Sequence, residues 1–493
     1  MRNHLFLFFI VLSFYSCSNS KVWRNPANIN EKKDLQTIIE ELNDAVKEEI
    51  TTSEQCSEGL SHYYKTLFKM TSEDVNWDQL EDNYIDNLIN KSFETRLVIK
   101  EKLKMLTLNS EMDHKCLASV KNSFRALRYV EDYLIEIKEF KVTDQNKKYV
   151  NLTGEAPSFL VNSEFKMRDY KDLKSGDVIL SRGNAYSSAA IARIGNNDMQ
   201  FSHLSFVYID EEGKAWTSEA HIEIGSVVAP IQTHIDQGNS RSVVFRYKDS
   251  AMAHEAAKAM FLKVQKHMKK KNIEYDFAMD YHDDERLFCS EIIYAGFQMA
   301  SNGEIDIPLY KTKFNKGLVS FLQILGISIT EDNFETFETF APGDIQFDPN
   351  FEMVAEWRNP SKIRDSRLKD MILTKMFDWM ENLNYQLDPK FGTSVKSRAS
   401  WLLRRTPLVG RLLRNKFPKN MSTAQLRLFI VLDNVGEVLK TELLKKQKEM
   451  KRPMSPIEMF TILDQFREKD YKTWKNKMRF RRNKAIFHKL FHP

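Results

Sequence analysis

Three short segments of this chain hold side chains that together could do covalent chemistry. In SHLSFVYI (202–209), His203 opens an alternating run, which puts His203, Ser205 and Val207 on one face of a strand. In WTSEAHIEIG (216–225), the same alternation puts Glu219, His221 and Glu223 on a common face. In YDFAMDYHDDERLFCSEIIYAGF (275–297), Cys289 comes immediately before a helical pattern. These segments supply a thiol, an imidazole and a carboxylate. Only the thiolate is a good nucleophile, and a free thiol has a pKa of about 8.5. A helix N-terminus would favour the anion, and a neighbouring imidazolium from His203 would stabilise it further and later protonate the leaving group. Glu219 would hold the His203 ring in the needed tautomer, with His221 and Glu223 competing for that role. A backbone N–H at the helix start would bind the oxyanion.

Other chemistries are less well supported. Asp276, Asp280, His282, Asp283 and Asp284 are dense enough to suggest a divalent ion, but neither an EF-hand spacing nor H-E-x-x-H is present, and capping of the following helix accounts for them. The chain has no G-x-x-x-x-G-K-[ST] or G-x-G-x-x-G string, so no nucleotide cofactor is expected, and no metal either.

The ordered pieces GDVIL (176–180), SHLSFV (202–207), the SEA around Glu219, YDF (275–277), Asp283-Asp284 and FCSEII (288–293) resemble the permuted NlpC-type papain-like hydrolases, the YiiX/YaeF group. In that family the strand His precedes the nucleophilic Cys, and a small β-barrel-like sheet packs on helices. The resemblance implies Cys289 as nucleophile, His203 as general base and Glu219 as orienting residue. It covers roughly 172–307, and Phe288 departs from it where a Tyr is common.

The elements that must position these residues fall into three parts. From about 28 to 140 apolar residues recur at helical spacing: Leu35, Ile38, Ile39 and Leu42, then Phe124, Leu127, Val130 and Leu134. A polar, turn-prone stretch follows. The middle changes period, with strands expected at 177–180, 206–209 and 242–247, and helices at 251–271 and 289–300. After Pro360 the helical period resumes. The expected fold is α+β: a signal segment over 1–17, a helical domain over 25–142, a linker over 143–165, a permuted papain-like hydrolase domain with a small antiparallel barrel-like sheet over 166–350, and a basic helical domain over 351–493.

Composition agrees with that division. The chain has 493 residues with only 16 Gly and 13 Pro, which excludes collagen-like and Pro/Gly-rich disordered chains. Four cysteines do not make a disulfide scaffold. The net charge of +5 conceals an imbalance, since 351–493 holds 32 basic and 15 acidic residues and the rest of the chain is net acidic. Between 390 and 427 there are ten basic residues and no acidic one, interleaved with Trp401, Leu402, Leu408, Leu412 and Phe417. That pattern suits a solvated basic face, or an anionic membrane surface or cell-wall polymer; it would also suit nucleic acid, against which export argues.

The first twenty residues, MRNHLFLFFIVLSFYSCSNS, read as a secretory signal with an apolar run too short to span a bilayer. Ser16-Cys17-Ser18 resembles a bacterial lipoprotein box, with Cys17 as the lipidated residue. In an oxidising compartment Cys56 and Cys116 either pair or stay as two buried thiols, and pairing would leave Cys289 free. The expectation is an exported, lipid-anchored protein of the cell envelope, on the periplasmic or outer-membrane face. It would hydrolyse an amide through Cys289, His203 and Glu219, as in a cell-wall peptide. The alternatives are a thiol-dependent lipid acyltransferase or lipid hydrolase, and a non-catalytic membrane-anchored binding protein.

Overall fold

The computed structural model describes residues 33–141, 159–281, 285–388, 421–476, 478 and 484–493. The signal segment, Cys17, His282, Asp283, Asp284 and most of the basic stretch 390–427 lie outside the described residues. Four helices come first: α1 (Leu35–Ala45), α2 (Ser53–Lys69), α3 (Asp82–Leu108) and α4 (His114–Lys141). Their starts are written in the sequence, since Asp34 caps α1 and Thr52 with Gln55 forms a capping box on α2. Cys56 of α2 and Cys116 of α4 are joined in a disulfide with their Cα atoms 5.4 Å apart, and Cys289 is the free cysteine among the described residues.

The middle of the chain forms one antiparallel sheet. Its strands are β1 (Phe159–Val161), β2 (Val178–Arg182), β3 (His203–Ile209), β4 (Ala215–His221), β5 (Gly225–Pro230), β6 (Arg241–Tyr247) and β9 (Phe351–Arg358), in the order β1-β9-β6-β2-β3-β4-β5. Two short strands, β7 (Glu274–Tyr275) and β8 (Arg286–Leu287), pair separately. Helices α7 (Ser250–Met268) and α8 (Glu291–Ser301) pack on β3 and β4, burying Phe206, Phe245, Ala256, Met260 and Phe297 in a shared core. On the other face Ile179, Val207, Val244 and Trp357 meet Leu173, Ile231 and Met167. Ile231 opens the short helix α6 (Ile231–Asp236).

The expected barrel-like sheet is instead an open one. β1 and β5 sit at opposite ends of the strand order and do not pair, so the sheet does not close on itself. A strand also falls inside the expected linker: the apolar triplet Phe159–Val161 pairs with Trp357, Glu356 and Ala355 of β9. That strand, which begins one residue beyond the expected boundary at 350, lies between β1 and β6. Its alternation was hidden, because Glu356 and Arg358 are buried charges where an apolar face would be expected.

Those charges belong to a buried ion network that joins all three parts. Arg96 of α3 reaches Glu131 of α4 at 2.8 Å and Glu356 at 2.7 Å. Arg358 lies 2.8 Å from Asp132 and 2.7 Å from Glu356, and it also pairs with Glu131. Arg241 of β6 reaches Asp132 at 3.0 Å and also pairs with Asp370. Asp370 lies in α10 (Pro360–Leu383) and accepts from Arg182 of β2 at 2.7 Å. A buried charge is tolerated only when paired, so these contacts fix the helical flanks against the sheet. Beyond α10, α11 (Thr423–Met450) and α12 (Pro456–Trp474) pack on it through Met376, Trp379, Val431, Val435 and Leu463. Among the described residues no helix is long and apolar enough to cross a membrane.

Candidate active site

The β3–β4 register builds the site. Phe206 pairs with Ser218 and Val207 with Thr217. Continuing that antiparallel register puts Ser205 beside Glu219 and His203 beside His221, all on one face. His203 Nε2 lies 2.9 Å from Glu219 Oε2, and its ring stacks on that of His221 with centroids 4.9 Å apart. His221 Nε2 lies 3.2 Å from the same carboxylate oxygen. Glu223, the other carboxylate expected on this face, falls in the exposed turn between β4 and β5, because the strand ends at His221.

Cys289 enters from the other side of the sheet. It stands two residues before α8, whose N-cap is Ser290. The turn is held by the Phe288 N–H, which donates to Glu291 Oε2 at 3.2 Å. α8 can approach β3 because residue 296 is glycine; a Cβ there would lie 2.8 Å from the Phe206 ring and 2.9 Å from the Ala256 carbonyl oxygen. The Cys289 thiol is buried, 3.9 Å from the Ser202 carbonyl oxygen and hydrogen-bonded to His203. With Nε2 of His203 on Glu219, it is Nδ1 that serves the thiol.

The electrostatics favour an ion pair. Burial pushes the Cys289 thiol up, but its hydrogen bond and attraction to His203, helped by Ser290 and the Leu204 N–H, bring it below the ordinary thiol range. Burial would push His203 down, yet Cys289 and Glu219 together raise it to about 10. Burial would also raise Glu219, but attraction to His234 and hydrogen bonds from His203, His221 and His234 hold it well below the usual carboxylate range. Each of these shifts favours the charged form of its group.

Two neighbours carried no signal of their own. His234 is buried in α6, with Nδ1 3.2 Å from Glu219 Oε1 and 3.1 Å from Ser205 Oγ; a six-residue helix gives no periodicity from which to read it. Tyr275 hydrogen-bonds Cys289, and burial together with the adjacent sulfur raises its hydroxyl well above the ordinary tyrosine range. It was visible only as part of the YDF piece. Gly225, at φ +78°, lets the β4–β5 turn meet the chain before Tyr275, where the Ser226 N–H donates to the Ile273 carbonyl at 2.8 Å.

Asp276 is occupied locally, its carboxylate accepting from the Ala278 and Asp280 N–H groups at 3.0 and 2.9 Å. Among the described residues, the donor set that converges is His203, Glu219 and His221, whose ligand atoms lie within 4.8 Å of one another. Two imidazoles and a carboxylate suit a divalent ion such as zinc, but the same atoms are the ones that bear on Cys289.

A thiol next to a strand histidine, on an antiparallel sheet with the cysteine entering at a helix start, is the arrangement expected of a permuted papain-like domain in which the histidine comes first in the chain. Residues 172–355 match the sequence profile of the permuted papain-like amidase enzymes, the YaeF/YiiX group of the C92 family. This region of the chain is thus similar to a family of papain-like cysteine amidases. Among solved structures it matches the crystal structure of metalloprotein YiiX from Escherichia coli O157:H7, at 20% identity, covering 37% of this chain and 96% of that one with a TM-score of 0.28. No curated protein matches.

Proposed function

We propose that the protein hydrolyses an amide through Cys289, His203 and Glu219, using cell-wall peptides or similar small peptides as substrate. The observation that carries the reading is the relay itself, with His203 hydrogen-bonded to the Cys289 sulfur on one side and 2.9 Å from Glu219 on the other. The thiolate adds to the amide carbonyl, and the resulting oxyanion takes hydrogen bonds from the Tyr275 hydroxyl and a nearby backbone N–H. His203 passes its proton to the departing amine, leaving a thioester on Cys289. The ring then accepts a proton from water as water attacks that thioester, and the acid product leaves with the thiolate restored. Glu219 keeps the proton on Nε2 and stabilises the imidazolium, the part a third residue plays in such sites. His221 and His234 act on the reaction by positioning Glu219.

The same proposal makes the protein an exported lipoprotein of the cell envelope, anchored through Cys17 with the basic C-terminal region facing an anionic surface. The apolar start followed by Ser16-Cys17-Ser18 supports this, as does the Cys56–Cys116 disulfide, a bond that persists in oxidising compartments. Purified protein incubated with cell-wall peptides or with small N-acyl amides is expected to release free amine, and Cys289→Ala to release none. Equal release by the variant would remove Cys289 from the chemistry.

A further inference from the structure

Tyr275 does more than touch the sulfur. It also forms part of the wall of a small cleft of about 50 Å³. The rest of that wall is almost entirely apolar: Ile191 of α5 (Tyr186–Arg193), Ile222, Phe277, Leu325 at the end of α9 (Val319–Leu325), Ile327, and Phe429 of α11. The one carboxylate in the wall, Asp276, is already satisfied by two backbone N–H groups. Five separate stretches of the chain thus converge on one lining. Phe429 lies outside the residues matched by the family, so the C-terminal helices complete a wall that the matched region leaves open.

We propose that this cleft is a subsite for an apolar group of the substrate, carried close to the scissile carbonyl on an alkyl chain or an aliphatic or aromatic side chain. The inference rests on Cys289 being the nucleophile, since Tyr275 ties the cleft to that sulfur. A polar group would lose its water here and find almost no partner, whereas an apolar one gains by leaving water. The subsite therefore selects by the size of an apolar group rather than by its charge.

The test uses the full chain and a graded set of alkylating amides, ICH₂C(O)NH–R. In each the Cys289 thiolate displaces iodide and forms a thioether, so no turnover is needed. In one arm R runs from methyl to octyl; in the other R is supplied by glycinamide, leucinamide or phenylalaninamide. The rate of Cys289 modification, located by peptide mass, is expected to rise about three- to fourfold per methylene until the cleft is filled, at roughly 0.8 kcal/mol per buried CH₂. Phe429→Glu is expected to flatten that rise while leaving the rate with the methyl reagent within about twofold. Ile191→Asp serves the same purpose if Phe429→Glu does not fold. A rise confined to the alkyl arm supports an acyl chain as occupant, and one confined to the amino-acid arm supports a side chain. Rates independent of R in the wild-type chain overturn the subsite while leaving the nucleophile intact. Slow but size-graded labelling would uphold the cleft and count against the activated thiol.

Discussion

The imidazole of His203 is held from beyond by Glu219, Nε2 to Oε2 at 2.9 Å, while its other nitrogen serves the Cys289 sulfur. The carboxylate is itself fixed by His221 and by buried His234, at 3.2 Å each. An orienting residue so restrained should matter to rate more than to fold. Glu219→Gln keeps a hydrogen-bond acceptor near Nε2 and removes the charge that stabilises the imidazolium. It is expected to lower kcat/KM by about 10²-fold or more with KM little changed, as loss of general acid–base assistance does. A large rise in KM with kcat preserved would place Glu219 in substrate binding instead.

The pH profile follows from the same groups. The Cys289 thiol is lowered and His203 raised to about 10. The thiolate is therefore already formed below the ordinary thiol pKa, and the proton needed by the leaving amine stays on His203 until pH approaches 10. Hydrolysis should give a bell in kcat/KM, with its acid limb below about 8.5 and its alkaline limb near 10. Rates that only begin to climb above pH 8.5 would show a thiol that nothing activates.

Stability should depend on charges that no surface reading would find. Arg358 faces Glu131, Asp132 and Glu356 in the buried network. Arg358→Met leaves those carboxylates without their shared cation and is expected to cost about 3–5 kcal/mol in denaturant unfolding, the range for breaking a buried pair by removing one partner. A loss under about 1 kcal/mol would mean that water or the neighbouring arginines take over.

What the sequence disclosed depended on how local the signal was. His203, Glu219 and Cys289 were readable as candidates because strand alternation and a helix start are patterns of a few residues, and the helical character of α1 and α4 was readable from their apolar stripes. β9 was not, since burying Glu356 and Arg358 breaks the pattern that marks a strand, and beyond their own pairing it takes partners more than 200 residues away to make it tolerable. The openness of the sheet depends on which strands pair, which no single strand encodes. His234 joined the site through the fold alone, as its neighbours in sequence carry no matching chemistry, and Tyr275 was visible only within the YDF piece.

The Cys56–Cys116 bond offers a check on the compartment. It spans 60 residues of chain, a loop for which cross-linking contributes about 4 kcal/mol by restricting the unfolded state. The double variant Cys56→Ser, Cys116→Ser should lose stability of that order and keep its Cys289 labelling rate. Thiol counting on protein isolated from its own cells without reductant should find Cys56 and Cys116 unreactive. If both are found as free thiols there, the exported reading fails.

The most direct measurement is the rate at which iodoacetamide modifies Cys289 between pH 4 and 10, in the wild-type chain and in His203→Ala. The wild type should react at a rate that has levelled off well below pH 8.5, and His203→Ala should shift that profile upward toward an ordinary thiol, with labelling near neutral pH falling at least tenfold. Superimposable profiles for the two proteins, both rising only above pH 8.5, would contradict the ion pair on which the proposed mechanism rests.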